Sequence, residues 1–167
     1  MAYAAATMFN RAAVIDEKLV RYLQQAPQPP SPRDPAQPVR EDGLLTGRDL
    51  LELFESQVVC RHLDLMARQL RSSDQGYYTI GSAGHEGNVV VGRVLRATDP
   101  AFLHYRSGAL MAERARKAEG GRFVRDTLLS MVAAREDPAS GGRHKVWGSK
   151  ALWVPPQTST IASHLPK

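Results

Sequence analysis

At 167 residues and 18.4 kDa the chain is sized for one ordinary domain, able to bury roughly 70% of its unfolded surface. A hydrophobic content of 43%, a mean hydropathy of -0.34 and the absence of any apolar run near the roughly 20 residues that cross a bilayer argue against a membrane span and for a cytoplasmic location. The single cysteine, Cys60, excludes an internal disulfide and a cysteine-based zinc site; a net charge of +5 with a pI near 9.7 favours an anionic partner, be it nucleic acid, a phosphate-bearing cofactor or an acidic protein face.

The opening stretch MAYAAATMFNRAAVIDEKLV has no apolar core of signal-peptide length, and Asp16 and Glu17 fall too early for a transit peptide. It predicts a short amphipathic helix, and residues 1–25 are assigned as an amino-terminal helical segment. Ala26 to Pro38 reads APQPPSPRDPAQP and holds six of the eleven prolines, the composition of an extended, polyproline-like connector. A linker is therefore placed at 26–43, with the main domain at 44–167.

TGRDLLELFESQVVCRHLDLMARQL predicts the first strong helix. Thr46 can cap it, Asp49 sits near the positive end of the dipole, and Leu51, Phe54, Val58 and Met66 recur at helical spacing with Leu50, Leu63 and Leu70. Arg61 and Asp64 fall one turn apart, as a solvated pair or as a functional one. The glycine-punctuated stretch SSDQGYYTIGSAGHEG follows, with Ser82 as a candidate cap for a helix from Glu86 to Arg96. A loop entering a helix N-terminus suits an anion, but the spacing is neither GxGxxG nor a P-loop. His85 and Glu86 can serve as acid and base or as dipole-facing caps.

The run AFLHYRSGALM predicts a short strand-like segment that brings Tyr105 and Arg106 to the start of the next helix. Arginine beside a tyrosine hydroxyl there can grip a phosphate through charge-assisted hydrogen bonds, or be a surface arginine stacked on a ring. A further helix is expected from Gly121 to Arg135. The basic, glycine-rich loop after it contains His144 and Trp147 and either holds an anion or turns the chain. The five histidines lack metal-ligand spacing, and no nucleophile motif is present.

Taken in order, LLTGRDLLELFESQVVCRHLDL, GSAGHEG, HYRSGALM, the GGR loop and TSTIASHLPK resemble the alpha half of the decarboxylating dehydrogenase component of 2-oxoacid dehydrogenase complexes. The resemblance covers roughly Leu44 to Lys167. It implies an α/β fold: the helix-rich amino-terminal part of a thiamine diphosphate-binding, transketolase-like fold, with its parallel sheet incomplete. It also implies an oxidoreductase function, the oxidative decarboxylation of a 2-oxoacid with acyl transfer to lipoyl. Arg61 and Asp64 match that family's Arg-x-x-Asp pair, while Ser82, Gly84 and Glu86 match its Ser-x-Gly-x-Glu turn. Tyr105 and Arg106 match the pair that grips the diphosphate. In the tail, Ser159 and Ile161 match cofactor-lining positions, and Thr158, Thr160, Ser163 and His164 match a potassium shell. His164 stands where the family has an amide, and Thr160 where it has a proline.

GGRHKVWGS is two residues shorter than the matching family segment. The family's Gly-Asp-Gly motif for magnesium would follow the position of Lys167. The implied cofactor is thiamine diphosphate, with magnesium in the complete fold, and the implied partners are the beta-type half and the lipoyl acyltransferase. Without the metal motif, the chain alone is expected to bind the cofactor very weakly and not to turn over. The rival expectations are a non-catalytic assembly protein and, third, a basic nucleic-acid binder, whose affinity would fall steeply with salt.

Overall fold

The structure is a computed structural model that describes residues 11–27, 31–118 and 122–156. It divides into two compact units, Met1–Asp34 and Pro35–Lys167. In the first, helix α1 (Arg11–Gln25) leaves Ile15, Leu19, Val20, Tyr22 and Leu23 exposed. No helix of the described residues is long and apolar enough to cross a membrane.

The second unit is built on helix α2 (Gly47–Ser72). Its start is fixed as the sequence predicts. Thr46 Oγ1 accepts from the Asp49 amide at 3.2 Å, and the Asp49 carboxylate accepts from the Thr46 amide at 2.9 Å, so two end-of-helix donors are satisfied reciprocally. The Thr46 hydroxyl also donates to Asp49 Oδ2 at 2.6 Å, and this bond, the Thr46 amide and the Arg93 guanidinium favour the ionised carboxylate and hold Asp49 down at about 2. The last part of the proline-rich segment folds onto this helix start: Arg48 N–H donates to Pro35 O at 2.7 Å and Gly47 N–H to Gln37 O at 3.1 Å.

After α2 come a single 3-10 turn (Glu86–Asn88), helix α3 (Val89–Val94), helix α4 (Gly108–Lys117) and helix α5 (Phe123–Met131). The unit is helix-rich. Among the described residues the only β pairings are two isolated antiparallel bridges, Pro38 with Thr46 and Ser149 with Val154. The strand-like run before Tyr105 joins no ladder among the described residues; Ala101 is tied across, donating to Trp153 O at 3.0 Å. Two of the expected helices are shorter than the sequence predicts. α3 ends at Val94, and α5 spans nine residues.

The buried side of α2 also differs from the predicted one. Leu51 and Phe54 are exposed, and the buried stripe is Leu53, Ser56, Cys60, Leu63, Asp64 and Ala67. The reason is electrostatic. Glu113 on α4 is fully buried, and its carboxylate accepts from Ser56 Oγ at 2.7 Å and pairs with Arg93 at 3.0 Å. Arg93 also bridges to Asp49 and, at 2.8 Å, to Glu52, so one guanidinium joins α2, α3 and α4. Polar residues of α2 therefore face inward, displacing Leu51 and Phe54 outward.

Gly92 lets α3 lie directly on α4. A Cβ there would stand 2.7 Å from Leu110 O, a backbone atom that cannot swing aside. Arg114 is the other buried anchor. It is fully buried, and its Nη2 donates to Asp99 O at 2.6 Å, Leu152 O at 2.6 Å and Ala97 O at 3.1 Å. Three carbonyls from two loops are thus gathered on one side chain.

Candidate functional site

The α2 pair resolves into two separate roles. Asp64 is buried, and its Oδ2 accepts from the Ser82 amide at 2.7 Å. Burial pushes its carboxyl above the ordinary range, opposed by that hydrogen bond and by the charge of Arg61. Arg61 makes no side-chain hydrogen bond to it, and the buried Nη1 of Arg61 has no hydrogen-bond partner among the described residues.

Asp64 seats the glycine-rich turn. With Ser82 anchored, His85 N–H donates to Ser82 O at 2.8 Å, and Glu86 Oε2 accepts from the Gly84 amide at 2.8 Å. Ser82 thus works through its backbone, not as the expected side-chain cap. Gln57 Nε2 reaches Glu86 O at 3.2 Å, and Asn88 Oδ1 accepts from the Leu110 amide at 3.0 Å. These bonds fasten the turn to α2 on one side and to the first turn of α4 on the other.

Tyr105 and Arg106 occupy the turn that leads into α4. Ser107 N–H donates to His104 O at 2.9 Å, and Arg106 N–H to His104 Nδ1 at 3.1 Å. The side chains form a ladder. His85 stacks on His104 at 5.8 Å, His104 on Tyr105 at 4.1 Å, and the Arg106 guanidinium carbon lies 5.4 Å from the Tyr105 ring centre. The turn therefore brings together Tyr105, Arg106 and His85, which the sequence singles out, and adds His104.

The amides at the start of α4 do not face solvent, because Ser107, Gly108 and Ala109 are buried. A Cβ on Gly108 would stand 2.6 Å from Cys60 Sγ, 2.9 Å from Ser82 Oγ and 3.3 Å from Trp147 Cζ2. An anion arriving here would meet the half-buried Arg106 side chain instead of the helix end. Arg106 makes no ion pair among the described residues.

Trp147 and Lys145 come to the same place from the basic loop. Trp147 Nε1 donates to Tyr105 O at 2.9 Å, and Lys145 Nζ lies 3.6 Å from the Trp147 ring centre and 5.5 Å from that of Tyr78. Burial draws the Lys145 ammonium down to about 8 and pushes the Tyr78 phenol up to about 12 and the Cys60 thiol upward. Between Cys60, Asp64, Tyr78, Ser82, Tyr105 and Lys145 lies a void of about 10 Å³. That is room for one water and for no substrate. His144, the loop residue the sequence draws attention to, is exposed, and its main chain bonds the Ser140 hydroxyl at 2.8 and 3.0 Å. It closes a turn.

A cavity of about 900 Å³ opens on the other side of Trp147, walled by Met111, Phe123, Leu152 and Val154 and reaching Pro155 and Pro156. The tail residues Thr158, Ser159, Thr160, Ile161, Ser163 and His164 lie outside the described residues.

No family model matches the chain, and comparison with curated proteins and with solved structures finds no match either. What the site can do rests on its own geometry. Among the described residues, no group of three or more His, Cys, Asp or Glu side chains could hold a metal ion. The arrangement can hold an anion at Arg106, with two stacked imidazoles and a phenol beside it, on a backbone clamped by Trp147 and His104. The sequence pattern pointed to Tyr105 and Arg106. It gave no sign of the clamp, since Lys145 and Trp147 lie about 40 residues farther on in a segment with no periodicity.

Proposed function

We propose that residues 44–167 are a helix-rich portion of a thiamine diphosphate-binding α/β fold, of the kind found in the decarboxylating component of 2-oxoacid dehydrogenases. Tyr105 and Arg106 hold the cofactor diphosphate. The observation that carries the reading is the half-buried Arg106, without an ion pair among the described residues, fixed on a turn that Trp147 and His104 brace. A guanidinium kept in one place without a carboxylate is prepared for a phosphate.

Bound thiamine diphosphate supplies the carbanion chemistry that releases carbon dioxide from a 2-oxoacid and passes the acyl group to a lipoyl disulfide. The residues of this chain bind and orient. Arg106 and the Tyr105 hydroxyl would meet phosphate oxygens, the Asp64-anchored turn beside them would support the site, and by the resemblance Ser159 and Ile161 would line the ring. Thr158, Thr160, Ser163 and His164 would surround a potassium ion nearby. Magnesium, the beta-type half and the lipoyl acyltransferase would complete the system, and a grip through Arg106 and Tyr105 alone is expected to be weak.

Two charge-assisted hydrogen bonds are worth together about 4 kcal/mol, a Kd on the order of 1 mM. Titration calorimetry of the chain tests this directly. Thiamine diphosphate and inorganic diphosphate should both bind in that range, and thiamine should not. Equal binding of thiamine and thiamine diphosphate would refute the diphosphate grip. Micromolar affinity with magnesium would refute the expectation of weak binding by this chain.

A further inference from the structure

A second feature lies away from the Tyr105–Arg106 turn, between α2 and α5. An open groove of about 740 Å³ is floored by apolar side chains, among them Met66 and Leu70 from α2 and Val124 and Leu128 from α5. Val124 is 46% exposed and Met66 38%, so the floor is open to solvent. Beneath it, Leu63, Ala67 and Met131 form a packed base. The groove thus lies between two packed helices.

Its edge is one-signed. Arg122 and Arg125 line it, and no acidic side chain does. Arg125 meets Asp126 at 3.3 Å with both groups partly exposed, a contact of little energy in water. Arg122 makes no ion pair among the described residues, and Arg68 and Arg71 are exposed on the same stretch of α2.

We infer that this groove docks an amphipathic helix of a partner protein, with an apolar stripe for the floor and acidic residues for Arg122 and Arg125. Helices recognised this way present apolar anchors at i, i+3, i+4 and i+7. The charge pattern selects that occupant over the same groove of a second copy. A two-fold pairing would set each arginine edge near its own image, and like charges brought together oppose association. The inference is independent of the cofactor reading.

The test uses the full chain and two synthetic helical peptides. Both carry Leu at i, i+3, i+4 and i+7, one with Glu and the other with Lys at the flanking positions, and binding is read by fluorescence anisotropy. The Glu peptide should bind, weaken in added salt, and lose about tenfold or more in affinity to the Arg122→Glu, Arg125→Glu double variant. The Lys peptide should show the reverse preference. Circular dichroism confirms that the variant keeps its helices, and Val124→Glu, which places a charge in the floor without touching the arginines, should also abolish binding.

Equal binding of the two peptides, no binding of either, or wild-type affinity in the double variant would overturn the inference. So would a concentration-dependent dimer removed by Val124→Glu, or binding to anionic phosphatidylserine vesicles but not to the Glu peptide.

Discussion

Gly108→Ala probes the joint that holds the Tyr105–Arg106 turn. The new Cβ would stand 2.6 Å from Cys60 Sγ and 2.9 Å from Ser82 Oγ, both short side chains at buried positions, and 3.3 Å from Trp147 Cζ2. Overpacking of this kind costs about 1–3 kcal/mol. Alanine's better helix propensity returns at most about 1 kcal/mol in a helix interior, and less at a first helical position. A net loss of about 1–2 kcal/mol is expected, measured by urea unfolding followed by circular dichroism.

Cys60→Ala removes the nearest obstacle and so supplies a control. Alone it costs stability, because Cys60 is 1% exposed in a core cluster with Leu53, Val89 and Ala109. Combined with Gly108→Ala, it should recover about 1 kcal/mol relative to the sum of the single effects, as expected for residues in contact. An additive double variant, or a Gly108→Ala protein as stable as the parent, would refute the close approach of α4 to α2.

Three further outcomes follow from the same contacts. Glu113→Ala strips the buried carboxylate from Arg93, Arg116 and Ser56 and should cost about 3 kcal/mol, seen as a much lower midpoint in thermal unfolding. Trp147→Phe keeps the ring beside Lys145 but loses the bond to Tyr105 O, so stability should fall by about 1 kcal/mol while diphosphate binding weakens as the turn loosens. For Lys145, burial takes the ammonium from 10.5 to about 8, and the folded state therefore binds fewer protons than the unfolded one between those values. Wild-type stability should then rise with pH from about 8 to 10.5 relative to Lys145→Met, by at most about 3 kcal/mol. The Trp147 ring favours the charged form and offsets part of that. Parallel pH profiles for the two proteins would contradict the assignment.

Local signals in this sequence were legible where the partners are close along the chain. Thr46 and Asp49 stand three residues apart, and the Thr46 cap with Asp49 at the helix start was readable from spacing alone. The inward face of α2 was not, because its choice depends on Glu113, 57 residues beyond Ser56. A hydrophobic pattern that names Leu51 and Phe54 cannot register a buried carboxylate from another helix. The same holds at the site. HYRSG marks Tyr105 and Arg106, but the tryptophan that clamps them is 42 residues away. Ser82 reads as a side-chain cap, yet its amide is what matters, and an amide leaves no trace in sequence. Gly108 and Gly92 look like ordinary glycines until the neighbouring helix is placed against them.

Phosphorus NMR of thiamine diphosphate with the chain and with Arg106→Gln tests the central claim most directly. The account predicts that the two phosphorus resonances broaden and shift on adding the wild-type protein, that Arg106→Gln reduces the effect at least about tenfold at equal concentration, and that Arg61→Gln leaves it largely intact. Identical spectra with wild type and Arg106→Gln would contradict it.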